Sequence, residues 1–224
     1  MPASLSDKET ALPRADWPPS LKAVMLAANF LPLLHAVSVA AAFLGRGWLA
    51  AALLLYVAPP LLTRLLFAAC GRPAGRHPVE SREFLVWWLS CQFQTLFLRL
   101  PFLEELLRIV PGLYSAWLGL WGSRLGARTY WSPGTVVLDR SYLELGDDVV
   151  FGAGVRLNGH VIARDEGGRL ELIVDDVRIG AGASVGGYSL LTAGTEVAAG
   201  ESLRACLLSP PYSRWEGEKR VKES

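Results

Sequence analysis

Near the C-terminal end of the chain an aliphatic residue returns every six positions: Ile179, Val185, Leu191, Val197 and Leu203. The fifth place of each hexad holds a small residue, Ala183, Ser189 or Thr195. A six-residue period matches neither the 3.6-residue turn of a helix nor the two-residue alternation of a strand. It matches a chain that turns a corner every six residues and coils into a triangular prism of short parallel strands. The leading aliphatic residue points inward and stacks on its equivalent in the next coil. The fifth residue also turns inward, at a corner where only a small side chain fits. Such coils bury themselves only by stacking, so both ends need caps.

The pattern extends backwards. Leu125-Gly126, Trp131, Val137 and Leu143 stand six apart, with Thr129, Thr135 and Ser141 at the fifth places. The register then slips by two after Leu143. Leu145-Gly146, Phe151-Gly152 and Leu157-Asn158 continue it, with Val149 and Val155 at the fifth places. The repeat therefore spans 123–208, roughly three to four coils. It breaks near His160 and resumes at Ile179, leaving 159–176 as an insertion. Arg164, Asp165, Glu166, Gly167, Gly168 and Arg169 read as its exposed turn, and Leu170–Val174 as a strand that rejoins the scaffold. An insertion protruding from a repeat scaffold is where function concentrates.

The first half is of another kind. The 224-residue chain is 51% hydrophobic, and the excess lies before residue 125. Residues 1–20 are a polar, proline-bearing tail. No permanently charged side chain occurs from Ala23 to Leu44, nor from Gly47 to Thr63. A membrane-crossing helix needs about 20 apolar residues, so 21–70 reads as a transmembrane helical hairpin turning at Gly45-Arg46. Lys8, Arg14 and Lys22 precede it and Arg64, Arg72, Arg76 and Arg82 follow it. This bias places both termini in the cytoplasm. His35 and Asn29 lie within the first crossing, where they serve either a polar site or a hydrogen bond between helices; the lack of a nearby acid favours the second. Residues 83–122 read as interfacial or capping helices, with Trp87-Trp88 at headgroup level and the stretch Phe102–Trp121 amphipathic. Residues 209–224 form a C-terminal tail.

The chemistry-bearing residues are few. His35, His77 and His160 are the only histidines, and His160 alone belongs to the prism. Histidine is the side chain best suited to take a proton near neutral pH, and glycine-rich corners such as Gly159 or Gly186-Gly187 offer N–H donors to an oxyanion. The same position also suits a histidine that merely bonds the loop backbone. One prism histidine makes no metal site, because zinc there would need three. Cys70, Cys91 and Cys206 are widely spaced, with no metal-binding pattern and no disulfide scaffold. A net charge of +1 gives no reason to expect nucleic acid.

These hexads resemble those of the left-handed parallel β-helix acyltransferases. Within that group, residues 83–217 resemble the membrane-bound terminal domains of nonribosomal peptide synthetases of the poly-lysine synthetase type. Leu145-Gly146-Asp147-Asp148 matches the family's acidic strand, His160 its histidine, and Val177–Ala183 the hexad that follows. Leu118–Gly126 is similar to its entering helix. Gly159 stands where the family has threonine, and Ile162-Ala163-Arg164 replaces its acidic triplet, with Asp165 and Glu166 close behind. Arg214-Trp215-Glu216-Gly217 resembles the closing motif, with Glu218 and Lys219 in place of Asn-Pro.

The resemblance implies an α+β membrane protein, a transmembrane hairpin and interfacial helices followed by a left-handed parallel β-helix. It implies an acyl- or aminoacyl-transferase at the cytoplasmic face of the inner membrane, with His160 as general base. The donor would be an acyl-CoA or a carrier-protein phosphopantetheine thioester, with no metal. Candidate substrate contacts are Asn158, Gly159, Arg164, Asp165, Tyr188 and Trp215. Partners would be two further copies in a homotrimer, a carrier protein or peptide synthetase, and membrane lipids. Two other readings stand beside it: a non-catalytic trimeric scaffold at the membrane, and an O-acetyltransferase of a lipid-linked sugar.

Overall fold

The computed structural model describes residues 17–217 and 219–221; the tail before Trp17, Glu218 and the last three residues lie outside the described residues. Four helices open the chain: α1 (Pro19–Ala28), α2 (Leu31–Arg46), α3 (Trp48–Tyr56) and α4 (Ala58–Cys70). Prolines sit in the first turns of α1, α2 and α4, where no backbone N–H is lost from the helical ladder. Gly47, at φ 88°, turns α2 into α3. Ala42 and Ala51 are buried between the legs, small enough for close approach. The runs Pro19–Arg46 and Trp48–Cys70 are long and apolar enough to cross a membrane, each holding an 18-residue window of mean hydropathy 1.8.

Strand β1 (Gly75–Pro78) follows, then α5 (Arg82–Arg99), α6 (Phe102–Arg108) and α7 (Leu113–Leu120). Ser81 caps α5 by accepting the Phe84 N–H. The repeat begins with β2 (Arg124–Leu125), β3 (Tyr130–Trp131), β4 (Val136–Val137), β5 (Leu143–Leu145), β6 (Val150–Phe151) and β7 (Arg156–Leu157). A hairpin of β8 (His160–Arg164) and β9 (Leu170–Val174) interrupts it. It resumes as β10 (Val177–Ile179), β11 (Ser184–Val185), β12 (Leu190–Leu191), β13 (Glu196–Val197), β14 (Ser202–Leu203), β15 (Leu208–Ser209) and β16 (Arg214–Glu216), and ends in β17 (Lys219–Val221).

Successive repeat strands visit three parallel sheets in turn. One runs β2-β5-β10-β13-β16, the second β3-β6-β11-β14 and the third β4-β7-β12-β15. Ile179 lies opposite Val197, Val185 opposite Leu203 and Leu191 opposite Ser209, each an offset of eighteen residues. The inward ladder Leu145, Ile179, Val197, Trp215 is one continuous core with its equivalents on the other two sheets. Fully burying such a side chain contributes about 1.5–3 kcal/mol. Corners stack so tightly that a Cβ on Gly146 would sit 2.4 Å from the Ala181 nitrogen.

Three expectations change. The ladder runs on past residue 208, because β16 pairs in parallel with β13 and places Trp215 as its next inward rung; 209–216 is scaffold, not tail. The two-residue slip lies before Leu143 rather than after it. Leu125 faces Leu145 and Val137 faces Leu157, so the surplus residues fall in the corner 138–142. Trp87 is not at headgroup level: it is 3% exposed, packed inside the protein.

The helices cap the first coil. Trp117, Leu118 and Trp121 are buried in the same core as Val137 and Phe151. Arg140, in the surplus corner, is buried and donates to Glu104 of α6 from both Nε (2.9 Å) and Nη2. Its backbone N–H and Nη1 reach Gln94 Oε1 of α5 at 2.9 and 3.2 Å. Phe97, Trp117 and Trp121 place their rings 5.5–5.9 Å from the guanidinium, within cation–π range. Arg140→Met leaves the Glu104 carboxylate buried without its main partner and is expected to cost about 3–5 kcal/mol. Arg140→Met with Glu104→Leu should recover most of that loss. Thermal unfolding in detergent checks both.

Candidate functional site

The hairpin that interrupts the repeat is the middle and edge of a separate antiparallel sheet. Strand β9 pairs with β8 on one side and with β1 on the other, so the chain leaving the apolar helices becomes the third strand of the insertion. Arg72 anchors this exit, donating to both Asp176 carboxylate oxygens (2.9 and 2.6 Å) and to the Ser141 carbonyl (2.7 Å). Tyr142 donates its hydroxyl to the Pro73 carbonyl at 2.9 Å.

His160 is the first residue of β8. Its Nδ1 lies 2.7 Å from Asp139 Oδ2, and the other carboxylate oxygen, Oδ1, accepts the Trp87 indole N–H at 3.1 Å. The Trp87 ring packs 4.6 Å from the imidazole. Asp139 is 1% exposed, whereas the His160 side chain keeps 23% of its surface open. A carboxylate accepts only, so in the neutral ring Nδ1 carries the proton and Nε2 keeps its lone pair. No hydrogen bond engages Nε2 among the described residues. Burial opposes the charged ring, but the Asp139 carboxylate outweighs it and holds the His160 pKa above its ordinary value.

Gly159 makes the approach possible. A Cβ there would fall 2.7 Å from Tyr142 Cβ and 3.0 Å from Asp139 Cβ. Its carbonyl accepts the Asp175 N–H at 2.9 Å, closing the hairpin base. Asn158 beside it bonds Leu191 through its backbone, while its buried Oδ1 has no partner among the described residues.

The remaining candidates are elsewhere. Arg164 and Asp165 stand at the far end of the hairpin and serve its turn. Arg164 reaches the Gly168 carbonyl at 2.6 Å, and Asp165 accepts the Arg169 N–H at 2.8 Å. Tyr188 is an exposed corner residue at φ 58°. Trp215 is buried, its indole N–H given to Ser209 Oγ at 2.8 Å. His77 is on β1 and bonds the Ala74 carbonyl. His35 bonds the Leu54 carbonyl at 3.0 Å, joining α2 to α3. No cluster of three or more His, Cys, Asp or Glu fit to hold a metal occurs among the described residues.

Sequence reasoning missed Asp139, Trp87 and Tyr142. The signal for Asp139 was the two-residue slip, since a surplus in a strict repeat must leave the regular corner. Trp87 carried no such signal. Cys91, near Asp139, is no nucleophile: burial and the adjacent carboxylate push its thiol well up, keeping it protonated.

This arrangement can accept a proton at Nε2 and stabilise the resulting imidazolium through Asp139. In Asp139→Asn, Oδ1 stays with the Trp87 N–H, so the amide NH2 faces Nδ1 and forces the opposite tautomer. The His160 pKa is then expected to fall, read by NMR titration of ring-labelled histidine. Because the folded pKa is raised, the pair's stabilisation is present below about pH 6.5 and fades as pH rises through the folded value. Chemical denaturation across that range should show it in the parent and not in the variant. Gly159→Ala, which drives a methyl into Tyr142 and Asp139, should cost about 1–3 kcal/mol in the same assay.

Compared with known proteins, the chain matches no family model and no curated sequence.

Proposed function

We propose that this protein is a membrane-anchored transferase that moves an acyl or aminoacyl group from a thioester to an amine or hydroxyl. The observation that carries the proposal is the His160–Asp139 pair, oriented by Trp87, with Nε2 at the open edge of the ring. His160 Nε2 takes the proton from the acceptor as its nitrogen or oxygen attacks the thioester carbonyl. The tetrahedral intermediate then collapses, the carbon–sulfur bond breaks, and the imidazolium returns the proton to the departing thiolate. Asp139 holds the tautomer before the attack and steadies the imidazolium during it.

The three parallel sheets form the faces of a left-handed β-helix, with α5–α7 as its cap. Its copies associate as a cyclic trimer, and the apolar helices hold it at the cytoplasmic face of the membrane. The thioester belongs to coenzyme A or to a carrier protein's phosphopantetheine arm. The resemblance of 83–217 to the terminal domains of peptide synthetases supports the second donor and a carrier protein or synthetase as partner.

Thiol release from acetyl-CoA and from aminoacyl-loaded carrier protein, with amine and hydroxyl acceptors, tests the reading. His160→Gln should lower kcat/KM by about 10²–10⁴-fold with the trimer retained. The parent profile should rise with pH through the raised His160 pKa, because the neutral ring is the base. Undiminished turnover in His160→Gln sinks the catalytic role. A trimer that binds carrier protein yet releases no thiol points to the scaffold reading.

A further inference from the structure

We propose that the apolar hairpin enters a single leaflet of the bilayer and does not cross it, the turn at Gly45–Gly47 ending within the hydrocarbon. The inference rests on the membrane anchoring proposed above, not on the chemistry at His160.

The lower part of the hairpin is bound to the cap along its length. Helix α4 lies against α5 with opposite direction: Phe67 meets Tyr142, whose corner Trp87 also reaches, whereas Tyr56 meets Phe97. Tyr56 is doubly tied at this level. Its hydroxyl donates to the Leu103 carbonyl of α6 at 3.0 Å, and its carbonyl accepts the Trp117 indole N–H of α7 at 2.8 Å. On the other leg, a cleft of about 210 Å³ has His35 and Ser38 of α2 facing Gln92 and Phe93 of α5. Above these contacts lie residues 39–53, the tip of the hairpin, with Phe43, Leu44, Trp48 and Leu49 among its exposed side chains. Ser38 to Arg46, and Trp48 to Tyr56, each rise about 12 Å at 1.5 Å per residue.

The hydrocarbon core is about 30 Å thick. To cross it, the hairpin would have to draw the cap at the Tyr56 level into the bilayer. That level carries exposed Arg99 at the end of α5 and Glu105 of α6, whose side chain is 42% exposed, and charges are strongly disfavoured there. The free tip suits lipid, and exposed Leu33, Leu34, Leu61 and Leu65 continue its apolar surface down both legs toward the root. Phe43, Leu44, Trp48 and Leu49 are exposed, Leu44 by 85%, and Arg46 is the only ionisable side chain between Ala23 and Thr63 apart from His35 and Tyr56. Arg46 has a long enough stem to turn its head back toward the interface. Exposed Phe102, Leu106 and Ile109 in and just after α6 form an apolar rim beside the root, the character of a helix lying at headgroup depth.

The test uses the full-length chain inserted into preformed vesicles of phosphatidylethanolamine and phosphatidylglycerol, so that the β domain faces outward. Gly45→Cys is combined with Cys70→Ser; exposed native Cys206 reports the outer face, and a Cβ on Gly45 meets nothing within 4 Å. An impermeant maleimide is supplied outside or sealed inside. The introduced thiol should resist both and react fully once the vesicles are dissolved, while Cys206 reacts from outside only. Labelling from the lumen would show that the hairpin crosses, overturning the single-leaflet inference alone. Labelling from outside at the Cys206 rate would show that the tip is not embedded, overturning the membrane anchor as well.

Discussion

Asp139 and Arg140 are neighbours in sequence, and they leave the corner of the first coil toward different parts of the helical cap. Each is 1% exposed. A carboxylate or guanidinium removed from water is costly unless it is paired and hydrogen-bonded. Arg140 meets Glu104 and Gln94; Asp139 meets Trp87 and His160. Corner 138–142 can therefore be buried only when α5 and α6 are docked. The same condition that covers the first strands of the three parallel sheets also orients the imidazole.

The apolar helices and the site are joined through short range contacts rather than a loose linker. Arg72 grips Asp176 two residues beyond Cys70, Tyr142 holds Pro73, and β1 then pairs with β9. Tyr142 is in turn the residue against which Gly159 packs. The position of His160 relative to the apolar helices is thus set by the fold. Arg164, Asp165 and Trp215 are absorbed by a turn and by the core, so among the described residues the side chains set against His160 are Asp139 and Trp87.

Much of the scaffold was legible because its signal is local and repeated. Each hexad declares one inward residue and one corner, and eleven of the thirteen parallel strands follow the positions so marked, from Leu125 to Leu203. The insertion was visible as a break at His160, and the hairpin as two uncharged runs. What escaped was pairing between distant segments. Strand β1 is four residues without a hydrophobic pattern (Gly75–Pro78) and exists only because the edge of β9 needs partners. Trp87 looks like a headgroup residue in its own helix, and only the arrival of Asp139, far along the chain, makes it a hydrogen-bond donor in the interior.

By itself the sequence determined the six-residue coil, the place where it is interrupted, the one histidine at that place and the uncharged length of the hairpin. These follow from periodicity and composition, which act residue by residue. Only the tertiary structure decided which carboxylate faces His160, which ring nitrogen stays free, and how far the hairpin stands clear of the domain that carries it. Those depend on burial and on distances between segments 20 to 70 residues apart, and no local pattern encodes a charge's need for a partner that lies elsewhere in the chain.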